Sequence, residues 1–322
     1  MTFLRGERLA KSYIISRGWW QKEEIQAVHD VSLDLDLDIE AGKNVGLVGE
    51  SGSGKSTLVR LLSRLERPSR GCLHYRGKEI STLPEKQLTS FRRQVQIIFQ
   101  DAAASLNPRH PAEKILAEPL RNYFPAFSRK ERRDKIDQVL QQVGLSPEDR
   151  KRYPHEFSGG QQRRLAIARA VIVNPFLVIC DEATSGLDVS LQGQLLNLFL
   201  DLGEKFGVHY LLVSHDLPAV RYLCQRVVVM YAGRIVEDLP ANRLDASLHP
   251  YTRALLKSEP RLEGSFSPQF LPGEPPDSSA YPAGCPFHPR CPERIEICAR
   301  EQPFLKEISA RHRAACHLAG KQ

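Results

Sequence analysis

Nine residues, Gly49-Glu50-Ser51-Gly52-Ser53-Gly54-Lys55-Ser56-Thr57, have the types and the spacing to hold phosphate. They fit the Walker A pattern, in which glycines let backbone N–H groups turn inward around phosphate oxygens. A helix opening at the end of the loop adds a favourable dipole. Lys55 is placed to reach β- and γ-phosphates, and Ser56 to hold Mg²⁺. A second run, Phe176-Leu177-Val178-Ile179-Cys180-Asp181-Glu182, is apolar and ends in two carboxylates. Asp181 suits the magnesium shell, and Glu182, one residue on, suits a group that polarises water for in-line attack. Alone, such a pair also reads as a helix cap. Beside a Walker A loop it reads as a Walker B element.

The surrounding sequence supplies elements that can position these groups. Val31 to Glu40 alternates apolar and polar residues strictly, the period of a half-buried strand. Gly42 breaks it, and Val45-Gly46-Leu47-Val48 restarts as a short strand ahead of the loop. Leu58, Leu61, Leu62 and Leu65 then recur at helical spacing, completing strand, loop and helix. Ile136, Val139, Leu140 and Val143 mark one face of a helix beside the basic residues Arg129, Lys130, Arg132, Arg133 and Lys135. Tyr210 to Val213 reads as another buried strand, and Arg226 to Glu237 as a hairpin turning at Ala232-Gly233. Prolines crowd the chain after Lys257, the mark of a linker.

Phe157-Ser158-Gly159-Gly160-Gln161-Gln162-Arg163-Arg164 resembles the signature sequence of ABC-type ATPases, and it precedes the Walker B strand as in that family. The resemblance implies further roles. Gln100 matches the Q-loop glutamine, which reaches the nucleotide's Mg²⁺ and the membrane partner. Ser185-Gly186-Leu187-Asp188 matches the D-loop, and His215 the switch histidine that contacts the γ-phosphate. Tyr13 is the aromatic residue expected to stack on adenine, with Trp19 and Trp20 as competitors. In this family the signature Ser158, Gly159 and Gly160 meet the nucleotide of an opposing subunit, and the resemblance adds Gln161 and Asp188 to the nucleotide-binding residues. A chain with one Walker A and one signature is thus expected in a head-to-tail dimer around two ATP molecules.

The resemblance narrows to ATPase subunits of dipeptide, oligopeptide and nickel importers, and to the second of the two such subunits. Ala104-Ser105-Leu106-Asn107-Pro108-Arg109, His249-Pro250-Tyr251-Thr252-Arg253-Ala254-Leu255-Leu256 and Leu271-Pro272-Gly273-Glu274-Pro275-Pro276 carry it. Ala183 and Gly186 depart from the residues common there. The expected fold is α/β: a P-loop ABC ATPase core of mixed sheet with a RecA-like core, an antiparallel β subdomain and a helical subdomain, plus a small Cys-rich tail. Its expected boundaries are 1–257 for the ATPase, with helices at about 101–165, then a linker over 258–284 and a cysteine motif over 285–322. Implied partners are a paralogous ATPase subunit, two transmembrane permeases and an external solute-binding protein. Import of nickel or a metal chelator, and a soluble ABC ATPase outside transport, are the alternatives.

Cys285, Cys291, Cys298 and Cys316 have five, six and seventeen residues between neighbours, unlike the close pairs of a zinc ribbon. Four thiolates suit zinc or an iron–sulfur cluster. The family resemblance implies [4Fe-4S], with His288, His312 and His317 near enough in sequence to substitute. Cys72, Cys180 and Cys224 read as ordinary buried thiols. The chain has 322 residues, 41% of them hydrophobic, and a formal charge of +7. No apolar run approaches the length that crosses a bilayer, and the N-terminus lacks a secretion pattern. The expected location is peripheral, on the cytoplasmic face of a bacterial inner membrane. The basic charge suits an anionic partner, but the run Arg129 to Lys135 reads as a solvated helix face and not as a nucleic-acid site.

Overall fold

The computed structural model describes residues 2–17, 21–36, 43–101, 104–258, 273–274, 276 and 281–320. Trp19, Trp20, Gly42, Leu271, Pro272 and most of the proline-rich linker lie outside these residues. The chain begins with β1 (Leu4–Arg17), β2 (Gln21–Leu35), β3 (Val45–Val48), α1 (Lys55–Leu62), β4 (Arg70–Tyr75) and β5 (Lys78–Glu79). It continues through α2 (Thr89–Gln94), β6 (Val95–Ile98), α3 (Ala112–Tyr123), α4 (Arg129–Gln142), α5 (Gly159–Val171), β7 (Leu177–Asp181), α6 (Val189–Phe206) and β8 (His209–Val213). The last elements are α7 (Leu217–Leu223), β9 (Arg226–Tyr231), β10 (Arg234–Pro240), α8 (Pro250–Lys257), α9 (Glu296–Arg300), β11 (Lys306–Ser309) and β12 (His312–Ala314). Two compact units result: Met1–Thr82 with Ser214–Gln322, and Leu83–Val213.

The first unit holds an antiparallel sheet in the order β2-β1-β4-β5. Alternation in β2 buries Val31, Leu33 and Leu35 and leaves Ser32 in solvent, as a one-faced strand requires. The same unit carries β3 parallel to β9, and β10 antiparallel to β9. Val227 to Tyr231 are all buried, because this strand has cover on both faces. Its hairpin turns through Ala232 and Gly233 at φ 47° and 74°, the left-handed pair whose twist suits a two-residue turn.

The C-terminal region is built into this unit. β12 pairs with β10 through Glu237↔Ala314 and Asp238↔Arg313, and β11 pairs with β12. A three-residue strand gains its place from buried polar partners. His312 Nε2 lies 2.7 Å from Glu237 Oε1, both side chains being buried, and Arg313 and Arg226 both bond Asp238. Those two guanidiniums outweigh the burial of Asp238 and hold its carboxyl below the usual range.

The second unit contains the parallel strands β6, β7 and β8, with β7 in the middle. Helix α4 starts from a capping box, Ser128 accepting from the Glu131 N–H while Glu131 accepts from the Ser128 N–H. It buries Ile136, Val139 and Leu140 and leaves Arg129, Lys130 and Arg133 exposed. The basic run is a solvated helix face.

Candidate functional site

In the first unit, β3 is wholly buried and delivers the chain to Gly49 at φ +154°. A Cβ there would lie 2.2 Å from the Met230 carbonyl oxygen, so only glycine lets the loop leave the strand. Gly54, at φ +96°, caps α1 with no side-chain bond to the helix's first N–H groups. Lys55 is 5% exposed, and its Nζ donates to the carbonyls of Gly49 (2.7 Å) and Glu50 (2.8 Å). The ammonium is therefore folded back across the loop that it belongs to. Ser53 is also buried, its carbonyl accepting from the Gly233 N–H at 2.9 Å.

Tyr13 lies on β1, half-buried, its hydroxyl donating to Glu66 Oε2 at 2.7 Å. Burial, then that carboxylate, pushes its phenol above the ordinary value, while a bond to Thr57 just inside α1 acts the other way. The ring is thus anchored beside the helix that the phosphate loop opens. His215 is exposed and follows Ser214, whose N–H donates to the Leu47 carbonyl at 3.1 Å. That bond sets the residue before His215 alongside the strand feeding the loop.

In the second unit Asp181 ends β7, and Glu182 follows at φ +51°. A non-glycine residue in that region costs about 1–3 kcal/mol, and such strain concentrates at functional sites. Its backbone is fixed on both sides: the N–H donates to Val213 O at 3.0 Å, and its carbonyl accepts from Ser185 Oγ at 2.8 Å. Gly186 adopts φ +69°, which explains glycine in place of a residue with a side chain at this point. Asp188 caps α6 by accepting from the Leu191 N–H. Ser158 caps α5 in a capping box with Gln161, whose side-chain oxygen accepts from the Ser158 N–H at 3.0 Å. Among the described residues a Cβ on Gly159 or Gly160 would meet nothing within 4 Å. Arg163, one turn on, donates to the Ser185 carbonyl at 2.9 Å and so ties this helix to the turn after Glu182. Gln100 is exposed two residues beyond β6.

Sequence reasoning missed what holds Glu50. Its carboxylate is gripped in bidentate fashion by Arg290, at 2.7 and 3.0 Å, with the guanidinium side chain 5% exposed. Its N–H donates to the Tyr251 hydroxyl at 2.8 Å. Tyr231, Tyr251 and Phe287 pack ring against ring below this pair. Arg290 stands immediately before Cys291, in a turn where the His288 N–H bonds Cys285 O and the Cys291 N–H bonds His288 O.

The four C-terminal cysteines lie close enough that each of three, Cys285, Cys291 and Cys316, has its thiol raised first by burial and then by its fellows. Cys285 is pushed up to about 11. The three histidines have other partners: His312 meets Glu237, His317 the Glu301 carbonyl and His288 the Cys285 carbonyl. Cys180 and Cys224 are buried as expected, but Cys72 is half-buried. On β4 it faces Glu7 of β1, and with His74 these form the group of ligand-type atoms lying within 4.8 Å of one another among the described residues.

Comparison with known proteins agrees with this geometry. Residues 33–185 match the "ABC transporter" family model, and residues 237–298 match "Oligopeptide/dipeptide transporter, C-terminal region". A di/tripeptide transport ATP-binding protein, DppF, of Pseudomonas aeruginosa is 45% identical over 99% of this chain and 98% of its own length. The oligopeptide transport ATP-binding protein AppF of Bacillus subtilis is 44% identical over 98% of this chain and 97% of its own. Among solved structures, the dimeric ATP-binding cassette MJ0796 bound to ADP and Pi is 28% identical, covering 74% of this chain and 98% of its own, with a TM-score of 0.65. A phosphate loop, a strand-end carboxylate pair and a glycine-opened signature helix, matched along the whole length, place the chain in the ABC transporter family, among the ATP-binding proteins that bear the oligopeptide/dipeptide transporter C-terminal region.

Proposed function

We propose that this chain binds and hydrolyses ATP as the motor subunit of an importer of di- or oligopeptides. The whole-length match to peptide-transport ATP-binding proteins, C-terminal region included, carries the reading. In it Tyr13 stacks on the base, Gly49 to Gly54 wrap the phosphates, and Lys55 leaves its loop carbonyls for the β- and γ-phosphates. Thr57 closes the loop's hydroxyl pair, while Ser56, Gln100 and Asp181 serve Mg²⁺. Glu182 orients the attacking water, and His215 contacts the γ-phosphate. Ser158, Gly159 and Gly160 act on the nucleotide of a second ATPase subunit, in a head-to-tail dimer, and Gln161 and Asp188 complete the nucleotide-binding set. At the start of α5 Gly159 is exposed and Gly160 half-buried, and among the described residues nothing lies within 4 Å of a Cβ on either, which suits such an approach.

Among the described residues no helix is long and apolar enough to cross a membrane. The reading therefore assigns the translocation path to two permease chains and delivery to an external binding protein, with this subunit peripheral on the cytoplasmic face. The ATPase is assigned to 1–257, its helical part to about 101–165, the linker to 258–284 and the cysteine motif to 285–322. Co-purification from membranes, then ATPase assays with the recovered binding protein and defined peptides, tests it. Stimulation by di- or oligopeptides is the expected result. Stimulation by nickel or a chelate alone, or no membrane partner at all, overturns the peptide reading.

Cys285, Cys291, Cys298 and Cys316 are the ligands we assign to a [4Fe-4S] cluster. Among the described residues no three of these sulfurs fall within 4.8 Å of one another, and the assignment rests on the four thiols standing in one C-terminal region, three of them inside the stretch that matches the oligopeptide/dipeptide transporter family. The cluster would supply a cross-link to a region of short elements, and the residues give it no electron-transfer task. Anaerobically purified protein should contain iron and acid-labile sulfide. Zinc without iron refutes the assignment.

A further inference from the structure

The pair Glu50–Arg290 joins two parts of the sequence that are 240 residues apart: the phosphate loop and the turn between Cys285 and Cys291. Its geometry is specific. Arg290 spends both terminal nitrogens on the two oxygens of Glu50, the planar match that a lysine cannot reproduce. It is held under Tyr231, at 5.9 Å from the ring centroid, and its own N–H bonds Phe287 O. Glu50 is the residue between Gly49 and Ser51, and its carbonyl is one of the two that hold Lys55 Nζ. The carboxylate thus stands at the mouth of a loop built to receive a polyanion, and Arg290 cancels its charge there.

We infer that Arg290 is a positioning residue for nucleotide binding, and that through it the cysteine region sets the affinity of the phosphate loop. The inference rests on the proposed ATP-binding role. Neutralising Glu50 removes a like charge facing the phosphates, and the bidentate bond fixes the loop's backbone at its second residue. The turn from Cys285 to Cys291 places the guanidinium, so a group that gathers the four thiols also fixes Arg290. Loss of that group releases Arg290 and leaves a bare carboxylate at the loop. Linkage makes the effect reciprocal: nucleotide on the loop must tighten the cysteine region by the same factor.

The charge logic separates this from a purely structural role. ATP affinity is measured on the purified full chain for wild type, R290Q, E50Q, C291S and the double variants E50Q/R290Q and E50Q/C291S. R290Q and C291S should each weaken ATP binding about tenfold, and E50Q, which loses the bidentate bond but leaves no bare carboxylate at the loop, should weaken it less than either. Adding E50Q to R290Q, or to C291S, should recover affinity to the level of E50Q alone. The second measurement is the rate of alkylation of the four thiols, which ATP should slow in wild type and not in R290Q. Wild-type protein that fails to bind ATP refutes the motor assignment itself. Wild-type binding with R290Q or C291S within twofold of it, or no recovery on adding E50Q, overturns the coupling. Misfolding of R290Q would leave the double variant equally impaired, which also overturns it.

Discussion

Two glycines of the phosphate loop predict different costs for the same substitution. Gly54 and Gly52 both have left-handed φ, +96° and +77°. An alanine in that region costs about 1–2 kcal/mol, partly offset by about 0.4–1 kcal/mol of lost freedom in the unfolded chain. Both terms are common to the two sites. They differ in space: a Cβ at Gly54 meets the Ala27 carbonyl oxygen at 2.4 Å and Met230 Cε at 2.9 Å, whereas at Gly52 nothing lies within 4 Å among the described residues. Carbon–oxygen contacts settle near 3.3 Å. β2 must therefore retreat by about 0.9 Å to admit the added methyl group, and β2 is pinned here because Gly233, which sits 3.3 Å from the same Cβ, bonds His29. Overpacking of this kind costs about 1–3 kcal/mol, which should be the gap in stability between G54A and G52A. Urea unfolding of both variants, followed by circular dichroism, measures it. Equal midpoints, or a lower midpoint for G52A, would refute the reasoning that strand packing rather than φ alone demands glycine at position 54.

Glu182→Gln should abolish hydrolysis while ATP binding persists, and size-exclusion chromatography with ATP should then show a stable dimer; continued turnover removes Glu182 from the water-activating role. Ser158→Ala deletes a helix cap on α5 and should cost about 1 kcal/mol, read as a lowered denaturant midpoint. Its loss of ATPase activity should exceed what that destabilisation explains, because the proposed function gives Ser158 a second task at the opposing nucleotide. Burial lowers His29 to about 4 and His249 to about 3, helped by Arg234 and Arg253 respectively. Unfolded, both bind protons below about 6.5, so stability should fall as pH drops from 6.5 toward 4, by up to about 1.4 kcal/mol per unit for each. His249→Asn should flatten that slope, and unfolding midpoints at pH 7 and pH 5 decide it.

Residues close in sequence made much of the site legible. Four buried residues, a glycine loop and a leucine-spaced helix announce a phosphate site because each signal lies within about ten positions of the next. The apolar run closing on Asp181 and Glu182 is equally local. What escaped was carried by pairing across distance or by backbone conformation. Glu50 fits the loop pattern whatever occupies that position, so nothing near it points to Arg290. β12 is three residues long, too short for alternation to register, and its place depends on Glu237 and Asp238 on another strand. Cys72 looked like a packing thiol because β4 gives no sign of which face Glu7 will share with it. Gly186 reads as an unusual residue until its left-handed φ shows why a side chain is disfavoured there.

The pairing of β10 with β12 also bears on how the protein is made. The ribosome completes β10 at Pro240, but the strand that covers its edge ends at Ala314, 74 residues later by subtraction. At roughly 5–20 residues per second, a growing chain shows that edge for roughly 4–15 s. An unpaired strand edge is a template for other chains, and its neighbour β9 is apolar from Val227 to Met230. Birth order thus makes the last tenth of the polypeptide a closing seal, and premature termination anywhere before it should yield aggregates rather than a smaller working subunit.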